Sequence, residues 1–343
     1  MKIAVVLFNL GGPDSLDAVK PFLENLFSDP AIIGLPAILR KPLAKFIAAR
    51  RTPMARAIYA ELGGASPILA ETQDQAEALR LELISRGFEA RCFVAMRCWH
   101  PFTCEAVRSV ELYRPDRIIL LPLYPQYSTT TSRSSLTEWY KQAARGKINF
   151  PSQEVCCFAF ENGFIDALVD ILREGLARRK AGIHYRILFS AHGLPKRTVQ
   201  RGDPYQWQVE QTVAAVMRKI GDAKLEWQIC YQSRVGPLEW IGPATQSEVQ
   251  RAGAEGKGVI IQPVAFVSEH SETLVELDVE YLKVAKAAGV ADYIRVPTAR
   301  THPAFIRGLA NLVQIAVTSD RPVTCASDRI CPSGKICEQD LRR

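Results

Sequence analysis

Short, continuously apolar runs alternate with longer amphipathic segments along most of this 343-residue chain. A strand with one solvated face alternates polar and apolar residues, whereas a strand buried on both faces is apolar throughout. The sequence therefore predicts an α/β fold in which helices cover parallel sheets. The predicted strands are 2–9, 90–96, 117–123, 154–159, 185–190, 225–231, 258–265 and 293–296, and the clearest predicted helices are 72–85, 162–178, 206–220 and 273–288.

The two halves of the chain repeat one pattern. Residues 3–13 run from a strand into Gly-Gly-Pro, and residues 187–195 run from a strand into His-Gly-Leu-Pro. We predict two Rossmann-like lobes, each with a four-stranded parallel sheet flanked by helices, over residues 1–165 and 166–318. Residues 319–343 are expected to form a Cys-containing C-terminal tail. Ligands of such folds bind outside the carboxyl ends of the strands, so we expect the site in a cleft between the lobes.

The composition is that of a globular enzyme, with 48% hydrophobic and 23% charged residues. No long run of Lys or Arg accompanies the net charge of +7, so nucleic acid is not an expected partner. A mildly basic surface favours anionic lipid headgroups or a carboxylated substrate. The chain shows no cleavage-site pattern and no apolar stretch long enough to span a membrane. The nine cysteines do not resemble a secreted disulfide scaffold, and a reduced, cytoplasmic protein is expected.

His192 directly follows an apolar strand and precedes Gly193. A strand-end histidine can face the cleft, and imidazole is the usual proton acceptor near neutral pH. The alternative is a structural histidine at the start of the next helix.

The segment 266–276 is the densest polar cluster in the chain. Glu272, Glu276 and Glu280 are four residues apart and share one helix face, with His270 and Glu269 close by. Nitrogen and oxygen ligands of this kind suit a divalent first-row metal ion, so the pattern indicates a metal or proton pathway. A solvated acidic face is the alternative.

Over residues 1–318 the chain resembles the ferrochelatases. Eight short motifs occur in the family's order. They are Leu-Gly-Gly-Pro at 10–13, Arg-Arg-Thr-Pro at 50–53, Gly-Gly-Ala-Ser-Pro at 63–67, Leu-Tyr-Pro-Gln-Tyr-Ser at 123–128, Phe-Ser-Ala-His-Gly-Leu-Pro at 189–195, Arg-Gly-Asp-Pro-Tyr at 201–205, Tyr-Gln-Ser-Arg-Val-Gly-Pro at 231–237 and Glu-His-Ser-Glu-Thr-Leu at 269–274.

The resemblance implies an enzyme that inserts Fe²⁺, its metal substrate, into protoporphyrin IX to form protohaem. It implies that His192 and Glu272 are catalytic, and that His270 and Glu276 join them as metal ligands. The residues that match macrocycle-binding positions are Arg51, Tyr59, Ser66, Arg97, Tyr124, Ser128 and Trp240. Two positions depart from the animal pattern, since Cys98 replaces Tyr and Leu10 replaces Met.

The tail carries Cys325, Cys331 and Cys337, each separated from the next by five residues. Some ferrochelatases hold a [2Fe–2S] cluster with a C-terminal Cys group and one distant Cys, and four thiolates suit such a cluster. The distant ligand of the animal enzymes aligns with Thr129, so Cys157 is the expected fourth ligand, with Cys156 as an alternative. A zinc site or three unliganded thiols are the other interpretations.

Residues 30–51 are apolar and basic, and the resemblance implies that they form a lip of the cleft. Such a rim suits peripheral contact with the inner face of the cell membrane, whereas a helical pair packed on the core is the alternative. The sequence is compatible with a monomer and with a homodimer. Two rival functions are a chelatase for Co²⁺ or coproporphyrin and a two-lobed carrier of metal or haem without chemistry.

Overall fold

The computed structural model describes residues 1–234, 236, 238–325 and 331–337. Val235 and Pro237 of the motif at 231–237, and residues 326–330 and 338–343 of the predicted tail, lie outside the described residues. The chain divides into two compact units. The first comprises Met1–Phe158, Leu309–Cys325 and Cys337, and the second comprises Ala159–Gly308 and Cys331–Ile336.

The expected α/β class is confirmed, because the described residues form two parallel sheets flanked by helices. The strands are β1 (Lys2–Asn9), β2 (Glu89–Met96), β3 (Arg117–Pro122), β4 (Ser152–Val155), β5 (Tyr185–His192), β6 (Glu226–Gln232), β7 (Gly258–Pro263), β8 (Tyr293–Arg295) and β9 (Val323–Thr324). The helices are α1 (Val19–Phe27), α2 (Ala37–Glu61), α3 (Ile68–Ser85), α4 (Thr103–Tyr113), α5 (Ser132–Arg145), α6 (Asn162–Ala177), α7 (Lys196–Gln200), α8 (Tyr205–Ile220), α9 (Thr245–Ala254), α10 (Ser271–Leu274), α11 (Tyr281–Ala287) and α12 (Pro303–Thr318), and a π-helix (Glu276–Glu280) precedes α11.

The sheet of the first unit has the order β2-β1-β3-β4-β9. The prediction of four strands was wrong here, because β9 pairs with β4 through Val323 and Thr324. A two-residue strand is too short to produce a readable apolar pattern. The interior strand β1 is almost wholly buried, and on one face the Phe8 ring packs edge-on against Trp139 of α5, with ring centroids 5.9 Å apart.

The sheet of the second unit has the predicted four strands, in the order β6-β5-β7-β8. Leu188, Ile261 and Leu277 belong to the core that covers one face of this sheet. The parallel register of β5 and β6 sets His192 opposite Gln232. Both residues are the last of their strands, so their side chains lie at the edge where ligands bind in such sheets.

The predicted helix 273–288 is divided into α10, the π-helix and α11. The Glu280 amide donates a hydrogen bond to the Val275 carbonyl at 2.9 Å, which is the five-residue spacing of a π turn. The apolar periodicity of the segment does not reveal this extra residue, so the prediction of one continuous helix was wrong. Short π segments of this kind occur frequently at functional sites.

From residue 37 onward the apolar, basic segment 30–51 forms the first part of α2, which begins after Pro36 and continues through Pro42 and Pro53. Only Ala44, Ala48 and Tyr59 of this helix are buried. The apolar side chains exposed on α2 are Ile38, Leu39, Leu43, Phe46 and Met54. No helix in the described part of the chain is long and apolar enough to cross a membrane.

Candidate active site

His192 ends β5, and its ring is fixed by the residue that follows it. Nδ1 lies 2.6 Å from the Gly193 carbonyl oxygen. Since a carbonyl only accepts hydrogen bonds, Nδ1 must carry the proton in the neutral ring. The lone pair of the neutral imidazole is therefore on Nε2, which lies 3.8 Å from Glu272 Oε1. The imidazole can accept a proton at Nε2 and pass it toward this carboxylate.

Glu272 stands in the first turn of α10, and its side chain is about one-third exposed, as is that of His192. The Glu272 carbonyl oxygen accepts a hydrogen bond from Gln232 Nε2 at 2.7 Å, which ties α10 to the end of β6. Its buried carboxylate oxygen Oε2 has no hydrogen-bond partner among the described residues. Because an unsatisfied buried oxygen is costly, this atom is a ready acceptor for a proton or a metal ion.

Glu276 starts the π-helix, and its carboxylate is fully engaged. Ser233 donates from its amide to Oε1 at 2.8 Å and from its hydroxyl to Oε2 at 2.6 Å. Tyr281 donates its hydroxyl to Oε1 at 2.9 Å, and Gln232 donates to Oε2 at 3.0 Å. These hydrogen bonds hold the Glu276 carboxylate in place, whereas Oε2 of Glu272 has no partner among the described residues.

The other acidic groups of the predicted cluster have structural partners. The Arg295 guanidinium contacts Glu269 Oε1 at 2.8 Å and also pairs with the Asp278 carboxylate. Burial of Glu269 opposes its ionisation, but the nearby Arg295 charge and the Thr298 amide outweigh this, and the pKa of Glu269 is lowered. Glu269 therefore anchors the segment before α10 instead of facing His192.

His270 caps α10, and its ring packs edge-on against Phe266 with centroids 4.6 Å apart. Its Nδ1 is buried without a hydrogen-bond partner within the described ranges. Trp240 packs beside Gly193, where a Cβ atom would lie 3.2 Å from Trp240 Cε3. Both predicted residues thus lie in the second unit, as His192 does.

In the first unit, Arg97 follows β2 and is held by a buried acid. Its Nη2 lies 2.9 Å from Asp29 Oδ2, and its Nε donates to Ser134 Oγ at 2.8 Å. The Ser134 hydroxyl in turn donates to Asp29 Oδ2 at 2.5 Å. The guanidinium is therefore positioned by two residues that are distant in sequence and were not predicted.

Tyr59, Cys98 and Leu10 belong to one apolar cluster of the first unit. Burial raises the pKa of the Cys98 thiol to about 12, so it is a neutral, small apolar group at ordinary pH. The two departures from the animal pattern thus lie side by side with a predicted macrocycle residue. They alter the shape of one wall and leave its charge unchanged.

The remaining predicted residues of the first unit have local partners. Ser66 donates its amide to the Pro13 carbonyl at 2.7 Å, and Ser128 Oγ lies 2.9 Å from Thr130 Oγ1. The Tyr124 hydroxyl lies 3.5 Å from Ser135 Oγ, and burial raises the pKa of this phenol. The Arg51 guanidinium lies 5.9 Å from the centre of the Phe27 ring.

Three buried cysteines meet in the first unit. The Sγ atoms of Cys156, Cys157 and Cys325 lie within 4.8 Å of one another. Hydrogen bonds to the Cys156 and Cys325 thiols, together with burial, raise the pKa of Cys157 well above its ordinary value. Cys337 is hydrogen-bonded to Cys156. Cys331 belongs to the second unit, where its Sγ accepts a hydrogen bond from Gln208 Nε2 at 3.2 Å.

This thiol group fits an iron–sulfur cluster in its donor type and its burial. Soft thiolates that are withdrawn from solvent are the ligands that such clusters take. The structure brings Cys157 and Cys325 together as predicted and adds Cys156, which the sequence indicated only as an alternative. Metal binding would require these thiols to lose their protons.

The comparisons with known proteins decide the family. A sequence model described as ferrochelatase matches residues 2–317. The chain belongs to the ferrochelatase family. A ferrochelatase from Caulobacter vibrioides is 54% identical over 318 residues, which cover 92% of this chain and 90% of that protein. The ferrochelatase from Hyphomonas neptunium is 48% identical, with 97% and 93% covered, and the one from Pelagibacter ubique is 46% identical, with 91% of each covered.

Solved structures agree on the fold. The sirohydrochlorin chelatase SirB from Bacillus subtilis subspecies spizizenii, in complex with cobalt, has a TM-score of 0.54 at 11% identity. That match covers 92% of this chain and 95% of SirB. Membership of the ferrochelatase family confirms the expectation of an enzyme, a metal chelatase of haem synthesis, over that of a carrier without chemistry.

Replacing Arg295 with Met should destabilise the protein by about 3–5 kcal/mol, because it leaves the buried Glu269 carboxylate without its cation. Urea unfolding followed by circular dichroism measures this loss. The control is Lys180→Met, which removes an exposed ion pair to Asp292 and should cost at most about 1 kcal/mol.

The difference between wild type and Arg295→Met should also depend on pH. The lowered pKa of Glu269 means that its ion pair stabilises the fold above the ordinary glutamate pKa of about 4.3 and loses this effect as the pH falls below it. Equal losses for the two variants at neutral pH would contradict this account of Glu269.

Proposed function

We propose that this chain inserts Fe²⁺ into protoporphyrin IX to form protohaem, with His192 and Glu272 removing the pyrrole protons. Family membership supports the reaction class. The observation that carries the residue assignment is the 3.8 Å distance from His192 Nε2 to Glu272 Oε1, with Nδ1 of the same ring placed on the Gly193 carbonyl.

The proton pathway follows from the contacts that His192 makes with the Gly193 carbonyl and with the Glu272 carboxylate. Insertion of a divalent ion releases two protons from the pyrrole nitrogens. Neutral His192 accepts a proton at Nε2, and the resulting imidazolium is stabilised by the Gly193 carbonyl at Nδ1 and by the Glu272 carboxylate. Glu272 can then take the proton on Oε1, the carboxylate oxygen that faces Nε2, which returns His192 to its neutral form for the second proton.

The same groups are the proposed first ligands of the incoming ion. Fe²⁺ accepts imidazole nitrogen and carboxylate oxygen, which His192 Nε2 and the unpartnered Glu272 Oε2 would offer. One lone pair cannot hold the ion and a proton together, so the ion would have to leave Nε2 for the porphyrin nitrogens before that atom accepts a proton. Glu276 would have to give up hydrogen bonds to bind the ion, so its proposed role is that of a fixed negative charge. His270 completes the proposed line of polar groups from α10.

The macrocycle is proposed to bind to the residues that match the family's positions. Arg97, held by Asp29, is the candidate for a charged contact, and Arg51 is the candidate for a propionate. The other proposed contacts are Tyr59, Ser66, Tyr124, Ser128 and Trp240. Contacts across the whole ring can supply the energy that bends it, so that its nitrogen lone pairs become accessible to the ion.

The thiol group of the first unit is the proposed holder of a [2Fe–2S] cluster, which would supply electron-transfer or structural chemistry when bound. Cys157, Cys325 and Cys337 are the proposed ligands, and the fourth is Cys156 or Cys331. Cys156 is favoured, because its Sγ lies within 4.8 Å of the Sγ atoms of Cys157 and Cys325.

His192→Ala should lower kcat by at least about 100-fold, the typical contribution of a positioned general base. The measurement is the anaerobic rate of haem formation, with porphyrin binding followed by fluorescence. His184→Ala is the matched control, since His184 is exposed and directly precedes the same strand. A His192→Ala enzyme with unimpaired turnover would refute the proposed pathway.

Cys157→Ser should abolish the visible absorbance and bound sulfide of anaerobically purified protein, whereas Cys104→Ser on α4 should leave both unchanged. Comparing Cys156→Ser with Cys331→Ser identifies the fourth ligand. Wild-type protein that lacks iron and sulfide under these conditions would contradict the cluster.

We also propose a cytoplasmic enzyme whose α2 contacts the inner face of the cell membrane. The exposed apolar side chains of α2 stand among Lys41, Lys45 and Arg50, a combination that suits anionic lipid. Ile38→Ser should weaken binding to phosphatidylglycerol vesicles several-fold, since Ile38 is 82% exposed. Leu112→Ser, at an 85% exposed position of α4, should leave binding unchanged. Equal binding by all three proteins in a sedimentation assay would refute this contact.

A further inference from the structure

The peptide that joins His192 to Gly193 is held on both sides. Its carbonyl oxygen accepts a hydrogen bond from the Tyr205 hydroxyl at 3.0 Å. Its amide, that of Gly193, donates to the Gln232 carbonyl at 2.9 Å. The plane of this peptide is therefore set by one side-chain hydroxyl and one neighbouring strand.

The orientation of the imidazole depends on this peptide. The Gly193 carbonyl, which belongs to the next peptide along the chain, accepts the hydrogen bond from His192 Nδ1. The turn is tightly packed, because a Cβ at Gly193 would lie 3.0 Å from the Gln232 carbonyl oxygen. A tilt of the 192–193 peptide would move the acceptor away from Nδ1.

Tyr205 is itself firmly placed. Its side chain is 7% exposed, and its amide donates to Asp203 Oδ1 at 3.0 Å. The preceding loop is bound to the C-terminal segment, since the Ile336 amide donates to the Gly202 carbonyl at 2.8 Å. Burial of the phenol keeps its proton in place, so the hydroxyl is a permanent donor.

We infer that Tyr205 is a positioning residue for the proton acceptor: its hydroxyl holds the 192–193 peptide so that Nδ1 of His192 stays protonated on the Gly193 carbonyl and Nε2 stays free. Tyr205 acts through His192 and not on the substrate. The inference rests on the proposed function of His192, but its structural part can be measured in the absence of porphyrin and iron.

The test is Tyr205→Phe, which removes only the hydroxyl. Nitrogen NMR of ¹⁵N-histidine-labelled, iron-free protein, well above the ordinary histidine pKa of about 6.5, reports which ring nitrogen is protonated. The His192 signals are assigned by their loss in His192→Gln. We expect the Nδ1–H form in wild type and a shift toward the Nε2–H form in Tyr205→Phe.

The kinetic consequence should appear in kcat. We expect kcat to fall about 10-fold, less than the ~100-fold that a full ångström of misplacement costs, while KM for the porphyrin changes less than about twofold. A purely structural loss would lower the amount of folded enzyme without changing the protonated nitrogen.

Tyr185→Phe is the matched control. Tyr185 lies at the opposite end of the same strand, is 8% exposed and donates its hydroxyl to Asp292 Oδ2 at 2.8 Å. It should leave the His192 signals and kcat unchanged. An unaltered tautomer in Tyr205→Phe, or an equal change in Tyr185→Phe, would overturn the inference. A shifted tautomer in a protein whose wild type makes no haem would overturn the proposed function instead.

Discussion

Parallel pairing of β5 with β6 brings the ends of both strands to one edge of the sheet, and the candidate active site of the second unit depends on this register. His192 and Gln232 are opposite partners in it. Gln232 then bonds to both the Glu272 carbonyl and the Glu276 carboxylate, so the strand ends also place α10 and the π-helix. A change of register by one residue would turn these side chains to the opposite face of the sheet.

The acidic groups of the site differ in what surrounds them, and this difference assigns their roles. Glu269 is neutralised by Arg295, and Glu276 is held by donors from Gln232, Ser233 and Tyr281. Glu272 alone of these three both contacts His192 and retains a buried oxygen without a described partner. Three glutamates placed within eight residues of each other thus have different surroundings, and only those of Glu272 fit the proposed acceptor of a proton or metal ion.

Much of this arrangement could be predicted from the sequence, because buried parallel strands leave a continuous apolar pattern. The eight predicted strands all exist, and His192 lies at a strand end and Glu272 at a helix start, as expected. The ninth strand is too short to leave a pattern, and a π-helix of five residues is too short to disturb the apolar pattern of the segment around it. Partners that are distant in sequence, such as Asp29 for Arg97, leave no local signal.

Two residues of the family motifs have positions that the sequence shows but roles that it does not. Tyr205 closes the Arg-Gly-Asp-Pro-Tyr motif, and Ser233 follows Gln232 in the motif at 231–237. Their roles become visible only through hydrogen bonds to a backbone carbonyl and to Glu276. Tertiary structure is needed here because the chemistry of these side chains is common, and only their partners distinguish them.

The most direct measurement is the visible spectrum of purified protein mixed anaerobically with Fe²⁺ and protoporphyrin IX. We expect the porphyrin bands to be replaced by those of protohaem in a catalytic, enzyme-dependent reaction. A porphyrin spectrum that stays unchanged while the protein binds the macrocycle would contradict it.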